Sequence, residues 1–196
     1  MTSQEIRLDF HPVTPERWED LERLFGPRGA IGGCWCMWWR VKRKEFEQQQ
    51  GDGNRSAMHS IVKSGKIPGI LAYSNGEPIA WCSVAPREEF PVLDRSPILK
   101  RVDEQPVWSV VCFYIAKEYR HQHLSSRMLK AAVEYASQSG AQIIEGYPIT
   151  PKKDEAPNIY IFTGIESTFL KAGFVEVARR SEYRPIMRYS VEEQGW

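Results

Sequence analysis

Apolar positions along the chain change period several times, and each change marks an element. Ile6, Leu8 and Phe10 alternate with polar neighbours, the two-residue period of a strand. Thr14-Pro15-Glu16 then offers a capping hydroxyl with proline at the first helical position. Trp18, Leu21, Leu24 and Phe25 follow at helical spacing until Gly26-Pro27 stops them. Gly51-Asp52-Gly53 breaks the polar passage VKRKEFEQQQGDGNRS, and Asn54 caps a second helix whose inner face is Met58, Ile61 and Val62, closed by Gly65. In GILAYSNGEPIAWCSV, Asn75-Gly76 separates two apolar runs and predicts a hairpin.

The charged stretch from Arg87 to Pro106 reads as a surface connection. VWSVVCFYIA after it is apolar at successive positions, the signature of a strand covered on both faces. A helix follows, with Leu124, Met128, Ala132 and Tyr135 near one face and Gly140 at its C-terminal cap, and then AQIIEGY as a short strand. Pro148 to Tyr160 is long and proline-rich for a simple connection, which makes it a candidate functional loop. Ile165, Phe169 and Leu170 line the inner face of a last helix that Gly173 stops, and FVEVARR and RPIMRYSV are two closing strands. The order β-α-α-β-β-β-α-β-α-β-β predicts an α/β fold, a mixed sheet with helices on its faces. No repeat or linker divides the chain, so residues 1–196 are expected to form one domain.

Composition narrows the functions this fold would carry. A formal net charge of +1 gives no global basic field, which disfavours nucleic acid and anionic membrane as partners. No apolar run approaches the roughly 18 residues of a membrane span, and the first residues have no leader-like apolar core, so a cytoplasmic location is expected. The four cysteines, Cys34, Cys36, Cys82 and Cys112, form no C-x-x-C pair and are expected to be reduced thiols.

Chemistry concentrates at the junction of strand, turn and helix from Tyr114 to Ser126. A helix start leaves backbone N–H groups unpaired and carries partial positive charge, which suits a diphosphate, and Arg120 stands at its mouth. FYIAKEYRHQHLSSRMLKAA resembles the acyl-CoA-binding motif of the GNAT superfamily of acyl-CoA-dependent N-acyltransferases, an apolar strand leading to Arg/Gln-x-x-Gly-x-Gly/Ala and a helix. The element order is similar to the GNAT order, and FLKAGF resembles the end of that family's last helix and the strand after it. The resemblance covers nearly the whole chain and implies a mainly antiparallel sheet. Two departures stand out: His121, His123 and Ser125 replace two usual glycines and a third small residue, and Phe169 occupies the place of a tyrosine that many members use as an acid.

From the resemblance, Phe113, Tyr114 and Ile115 would pair with the pantetheine arm of acetyl-CoA. Backbone amides of His121, Gln122, His123, Leu124, Ser125 and Ser126 would hold the pyrophosphate beside Arg120. A backbone N–H near Tyr114 or Ile115 would polarise the thioester carbonyl. The implied activity is acetyl transfer to a primary amine on a small molecule or peptide, by direct attack in a ternary complex and without metal. Its alternative is a GNAT-like module that binds acyl-CoA or another small ligand without catalysis. An amine of pKa ~10 must lose a proton before it attacks, whereas a thiol of pKa ~8.5 leaves more readily. Glu145 is the first candidate base and Glu166 the second, while Tyr147, Tyr160 or water stands in for the missing acid.

GGCWCMWWR, from Gly32 to Arg40, could be a metal site, core or pocket wall. Cys34 and Cys36 supply at most two ligands with no partners at suitable spacing, and a disulfide between residues two apart would be strained. Trp35, Trp38 and Trp39 stand at helical spacing, which suits a buried stripe. The stretch also joins the first two helical regions, which border the acceptor cleft in GNAT folds. Their aromatic faces beside Arg40 would suit an acceptor with an apolar or cationic part and a carboxylate. The expected role is mixed, with some tryptophans packed and at least one facing the cleft.

Overall fold

The computed structural model describes residues 6–151 and 162–191. Asn75 and Gly76 adopt φ values of 51° and 81°, the left-handed pair that a tight hairpin turn demands. They join β2 (Gly69–Ser74) to β3 (Glu77–Pro86) with Leu71 opposite Trp81. β1 (Asp9–Pro12) lies antiparallel on β2, and β4 (Trp108–Ile115) lies antiparallel on β3. β5 (Ile143–Gly146) runs parallel to β4, and parallel neighbours need a crossover, which α5 (Leu124–Gln138) supplies. β7 (Pro185–Ser190) inserts between β5 and the edge strand β6 (Val175–Arg179), giving the order β1-β2-β3-β4-β5-β7-β6.

Both faces of the sheet's first half are covered, which is why β2, β3 and β4 are apolar at nearly every position. Ile70, Ala72, Cys82, Val84 and Val110 pack with Leu124, Met128, Leu129 and Ala132 of α5, and with Phe169 of α6 (Glu166–Lys171). Leu71, Tyr73 and Trp81, on alternate positions, pack instead with α1 (Trp18–Phe25) and α3 (Asp52–Lys63). Each fully buried aliphatic side chain contributes about 1.5–3 kcal/mol, so these two layers dominate the fold's stability.

Several local expectations change. β1 starts at Asp9, later than the alternation of Ile6, Leu8 and Phe10 implies. α3 starts at Asp52, and Asn54 is buried with its Nδ2 donating 3.1 Å to Gly33 O, tying α3 to the glycine-rich loop instead of capping a helix. A short helix α2 (Arg43–Gln48) forms in the polar passage, and another, α4 (Pro91–Arg95), forms inside the stretch expected to be a surface connection. On α6 Leu170 is 54% exposed, because a helix of six residues turns only Phe169 fully inward. Residues 34–42 form turns, so the tryptophan spacing does not report a helix. Among the described residues, no helix is long and apolar enough to cross a membrane.

Candidate functional site

β4 and β5 pair only at Trp108–Ile144, Ser109–Glu145 and Val110–Gly146. β4 continues to Ile115 while β5 ends at Gly146, so the strand ladder on that edge of β4 stops half-way. A cavity of about 490 Å³ opens there. Cys112, Phe113 and Tyr114 of β4 form one side of it, Trp81 and Phe25 its floor, and the loop from Ala30 to Trp39 its opposite wall. Arg184 is its one charged lining residue among the described residues. Burial lowers the pKa of Arg184 from its ordinary value, and its Nη1 donates to Tyr147 O at 3.0 Å and Thr163 Oγ1 at 2.7 Å.

The loop wall is shaped by unusual backbone. Ala30, Trp35 and Cys36 have φ values of 68°, 43° and 59°, and Gly29 has 55°. A Cβ on Gly29 would lie 2.2 Å from the Trp35 indole nitrogen, so glycine makes room for that ring. Trp35 packs on Trp18 and Phe25, while Trp38 and Trp39 line the cavity. Trp38 is 40% exposed and meets Phe46 edge-on at 5.2 Å. Arg40 faces elsewhere: its side chain is buried over Phe90, with Nη2 donating 3.2 Å to Pro68 O. The expected cation beside the aromatic faces is therefore Arg184, from a strand-end position sequence reasoning gave no reason to select.

Beyond Tyr114 the chain turns through Lys117–Tyr119, and Arg120 Nε donates to Ile115 O at 3.0 Å, closing the turn. His121 and His123 have φ values of 62° and 57°, the left-handed conformation that glycine takes at least cost. Both imidazoles are exposed, and α5 starts directly after His123. Among the first amides of α5, Ser126 N donates back to His123 O at 3.2 Å, while those of Leu124 and Ser125 precede the first intrahelical bond, where a helix leaves its donors without a carbonyl one turn back.

Glu145 and Tyr147 stand outside the cavity lining. The Glu145 side chain is 1% exposed; Oε1 accepts from Arg87 Nη1 at 2.8 Å and from the Tyr147 hydroxyl at 2.7 Å, and Oε2 accepts from Arg188 Nε at 2.8 Å. The Tyr147 oxygen also accepts from Arg87 at 2.6 Å and lies 2.8 Å from Ser109 Oγ. Burial, reinforced by the Glu145 carboxylate, pushes the Tyr147 phenol well above its usual range. Arg87 further pairs with Asp94, and Arg188 with Asp103. This departs from the expectation of a base and an acid open to substrate, because both groups are enclosed and every oxygen is engaged. Glu166 is engaged as well, by Thr150 and Arg179. Tyr160 lies outside the described residues.

A family model described as "Acetyltransferase (GNAT) family" matches residues 33–152, more than half of the chain and all of the β4 to α5 junction. The chain belongs to the GNAT acetyltransferase family. Membership supports acyl transfer from acyl-CoA as its chemistry. Solved GNAT structures share the fold at low identity. An acetyltransferase from Listeria monocytogenes is 9% identical with a TM-score of 0.59, covering 97% of this chain and 99% of that one. One from Streptococcus agalactiae is 14% identical with a TM-score of 0.55 over 93% and 95%. The PaiA N-acetyltransferase of Thermoplasma acidophilum, in complex with coenzyme A, is 13% identical with a TM-score of 0.51 over 94% and 99%. No curated protein matches the chain.

Against the GNAT pattern, Phe169 is fully buried, with its ring edge-on to Phe113 and Phe174 at 6.3 and 5.0 Å. Gly146 and Gly164 give it space, since a Cβ on either would come within 2.1 and 2.8 Å of the ring. The position of the usual tyrosine is thus a core position here, and an apolar ring serves it.

Proposed function

We propose that the protein is an N-acetyltransferase that moves the acetyl group of acetyl-CoA to a primary amine on a small molecule or peptide. The observation that carries this is the half-paired edge of β4 leading into a left-handed turn and a helix start beside a cavity. Along β4 from Phe113 to Ile115, the backbone groups that turn away from β3 to the unpaired edge suit the amide-bearing pantetheine arm, which takes the place of a strand. Amides from His121 to Ser126, with Arg120 nearby, suit the pyrophosphate. A backbone N–H near Tyr114 or Ile115 would stabilise the oxyanion that forms as the acetyl carbonyl is attacked.

The acceptor is an amine with an apolar or aromatic body and an anionic group. Trp38, Trp39 and Phe46 supply the aromatic surface, and Arg184 the positive charge. The enclosed Glu145–Tyr147 network holds β5 and β7 in place beside the cavity instead of exchanging protons with substrate.

Release of free thiol from acetyl-CoA across a panel of amines tests this function. Aromatic and apolar amino acids and short peptides should turn over fastest, and cationic polyamines slowest. A second reading, a non-catalytic acyl-CoA-binding module, draws on Phe169, which has no proton to give. Thermal stabilisation by CoA with no turnover on any amine would favour it.

A further inference from the structure

Arg40, turned away from the first cavity, is a buried cation that the fold leaves short of partners. Its side chain is 3% exposed, and the guanidinium carbon lies 4.4 Å over the centre of the Phe90 ring. Among the described residues the guanidinium makes one hydrogen bond, from Nη2 to Pro68 O, and Ser83 Oγ donates to that same carbonyl at 3.2 Å. Nε is buried with no partner there. The carboxylate beside it, Glu89, stands 3.7 Å from Nη1, beyond hydrogen-bonding reach, and is held instead by Lys66 Nζ at 2.7 Å. A guanidinium carries five N–H donors, and a buried one ordinarily has a close counter-charge. Here two cations share one carboxylate, and burial lowers the Arg40 pKa from its ordinary value.

Arg40, Lys66 and Glu89 all line a second cavity, of about 280 Å³. Trp108 and Tyr135 meet edge-on at 6.0 Å in its wall, and Ile61, Ile67 and Pro86 add aliphatic surface. It lies at the end of the β3–β4 pair where Pro86 stands opposite Trp108. Trp108 in this lining and Tyr114 in the first are roughly 20 Å apart along β4, at about 3.3 Å per residue. Arg40 directly follows Trp39, and Val92 N donates to Trp39 O at 3.3 Å, fixing a turn from which successive side chains enter different cavities.

We propose that this second cavity is a binding site for a small organic carboxylate with an aromatic body, its carboxylate taken by Arg40 and Lys66 and its ring set against Trp108 and Tyr135. Charge selects a monoanion: the described lining holds two cationic side chains against the one carboxylate of Glu89, so a single negative charge neutralises it. Geometry selects a carboxylate, whose two coplanar oxygens match the guanidinium fork. A phosphate dianion would overshoot the charge and leave the aromatic wall unused. The volume falls just below the roughly 300–1,000 Å³ of sites for drug-sized molecules, so the occupant is small. The site goes beyond the acetyl-transfer reading and uses none of the residues assigned there to acyl-CoA or to the acceptor.

The test follows isotope-labelled wild-type protein by amide NMR as hydrocinnamate is added to millimolar concentration, with no acyl-CoA present. The Trp108 indole N–H and the amides of Ile61, Ile67 and Ser139 should shift and saturate. Neutral hydrocinnamamide, of the same shape, and inorganic phosphate should leave them in place. K66Q should weaken hydrocinnamate several-fold, and it alters a side chain that is 59% exposed, so the core stays intact. E89Q should tighten it several-fold, since the ligand then meets no competing carboxylate; a purely structural role for Arg40 predicts no gain. Shifts confined to the first cavity, around Gly32 and Tyr114, would overturn the site. So would an equal response to the amide or to phosphate, or an affinity unmoved by K66Q or by E89Q. Because the titration contains no acyl-CoA, failure of the acetyl-transfer reading leaves its outcome unchanged.

Discussion

At the scale of single residues, the histidines in the phosphate-facing turn carry the clearest lesson. Glycine usually stands there because it accepts left-handed torsions and lets a ligand approach the backbone. His121 and His123 keep the torsions and give up the approach. Replacing His123 with glycine relieves a strain of about 1 kcal/mol, offset by the freedom that glycine adds to the unfolded chain. H123G should therefore move stability by less than about 1 kcal/mol while tightening CoA binding several-fold, as calorimetry would read. Glu145 behaves differently, because it is enclosed between two guanidiniums. E145Q leaves Arg87 and Arg188 without their shared negative charge, a loss of about 3–5 kcal/mol for a broken buried pair. Denaturant unfolding should show that loss, whereas Y147F, which removes one hydroxyl, should cost only about 1–2 kcal/mol.

Elements show how a loop becomes a wall. The Trp35, Trp38 and Trp39 spacing suggests a helix because periodicity counts positions and carries no information on torsions. In the fold, left-handed residues at Trp35 and Cys36 break any helix, and the three rings part company. Trp35 enters the core over Gly29, and Trp38 and Trp39 turn to the cavity. G29A would place a methyl inside the Trp35 ring at a positive φ, so about 2–4 kcal/mol of destabilisation is expected, read from the urea midpoint. W38A removes a ring that is 40% exposed, and a stability change under about 2 kcal/mol is expected. Its effect on turnover should appear as a raised KM for the acceptor with kcat nearly held, the mark of lost uniform binding.

Across the whole molecule, a chain of ion pairs ties the connection before β4 to the far half of the sheet: Asp94 to Arg87, Arg87 to Glu145, Glu145 to Arg188, Arg188 to Asp103. Hydrogen bonds from Arg188 hold the Asp103 carboxyl down at about 2, below its ordinary ~3.9. A folded-state value below the unfolded one means that the pair's contribution is complete above pH ~4 and drains away as pH falls towards 2. The melting temperature should fall over that window, and D103N should start lower at neutral pH and lose part of the slope. The two layers of core on either side of β2, β3 and β4 are legible in the sequence, since alternate positions there are apolar on both parities. So is the β4 to α5 junction, because turn and cap chemistry is local. The ion-pair chain is not, because Arg87, Glu145 and Arg188 are brought together by strand register and carry no mutual spacing in sequence.

What the sequence by itself determined is therefore what depends on neighbours along the chain: the order of strands and helices, the Asn75-Gly76 turn, the strand-to-helix junction, and the family they imply. Tertiary structure alone decided what depends on neighbours across it. It enclosed Glu145 and Tyr147, sent Arg40 behind the wall, brought Arg184 to the cavity, and set Cys36 beside Trp81. The reason is physical: backbone torsions and periodicity are local, whereas burial, electrostatic pairing and access to a cavity are fixed only when distant strands take their register.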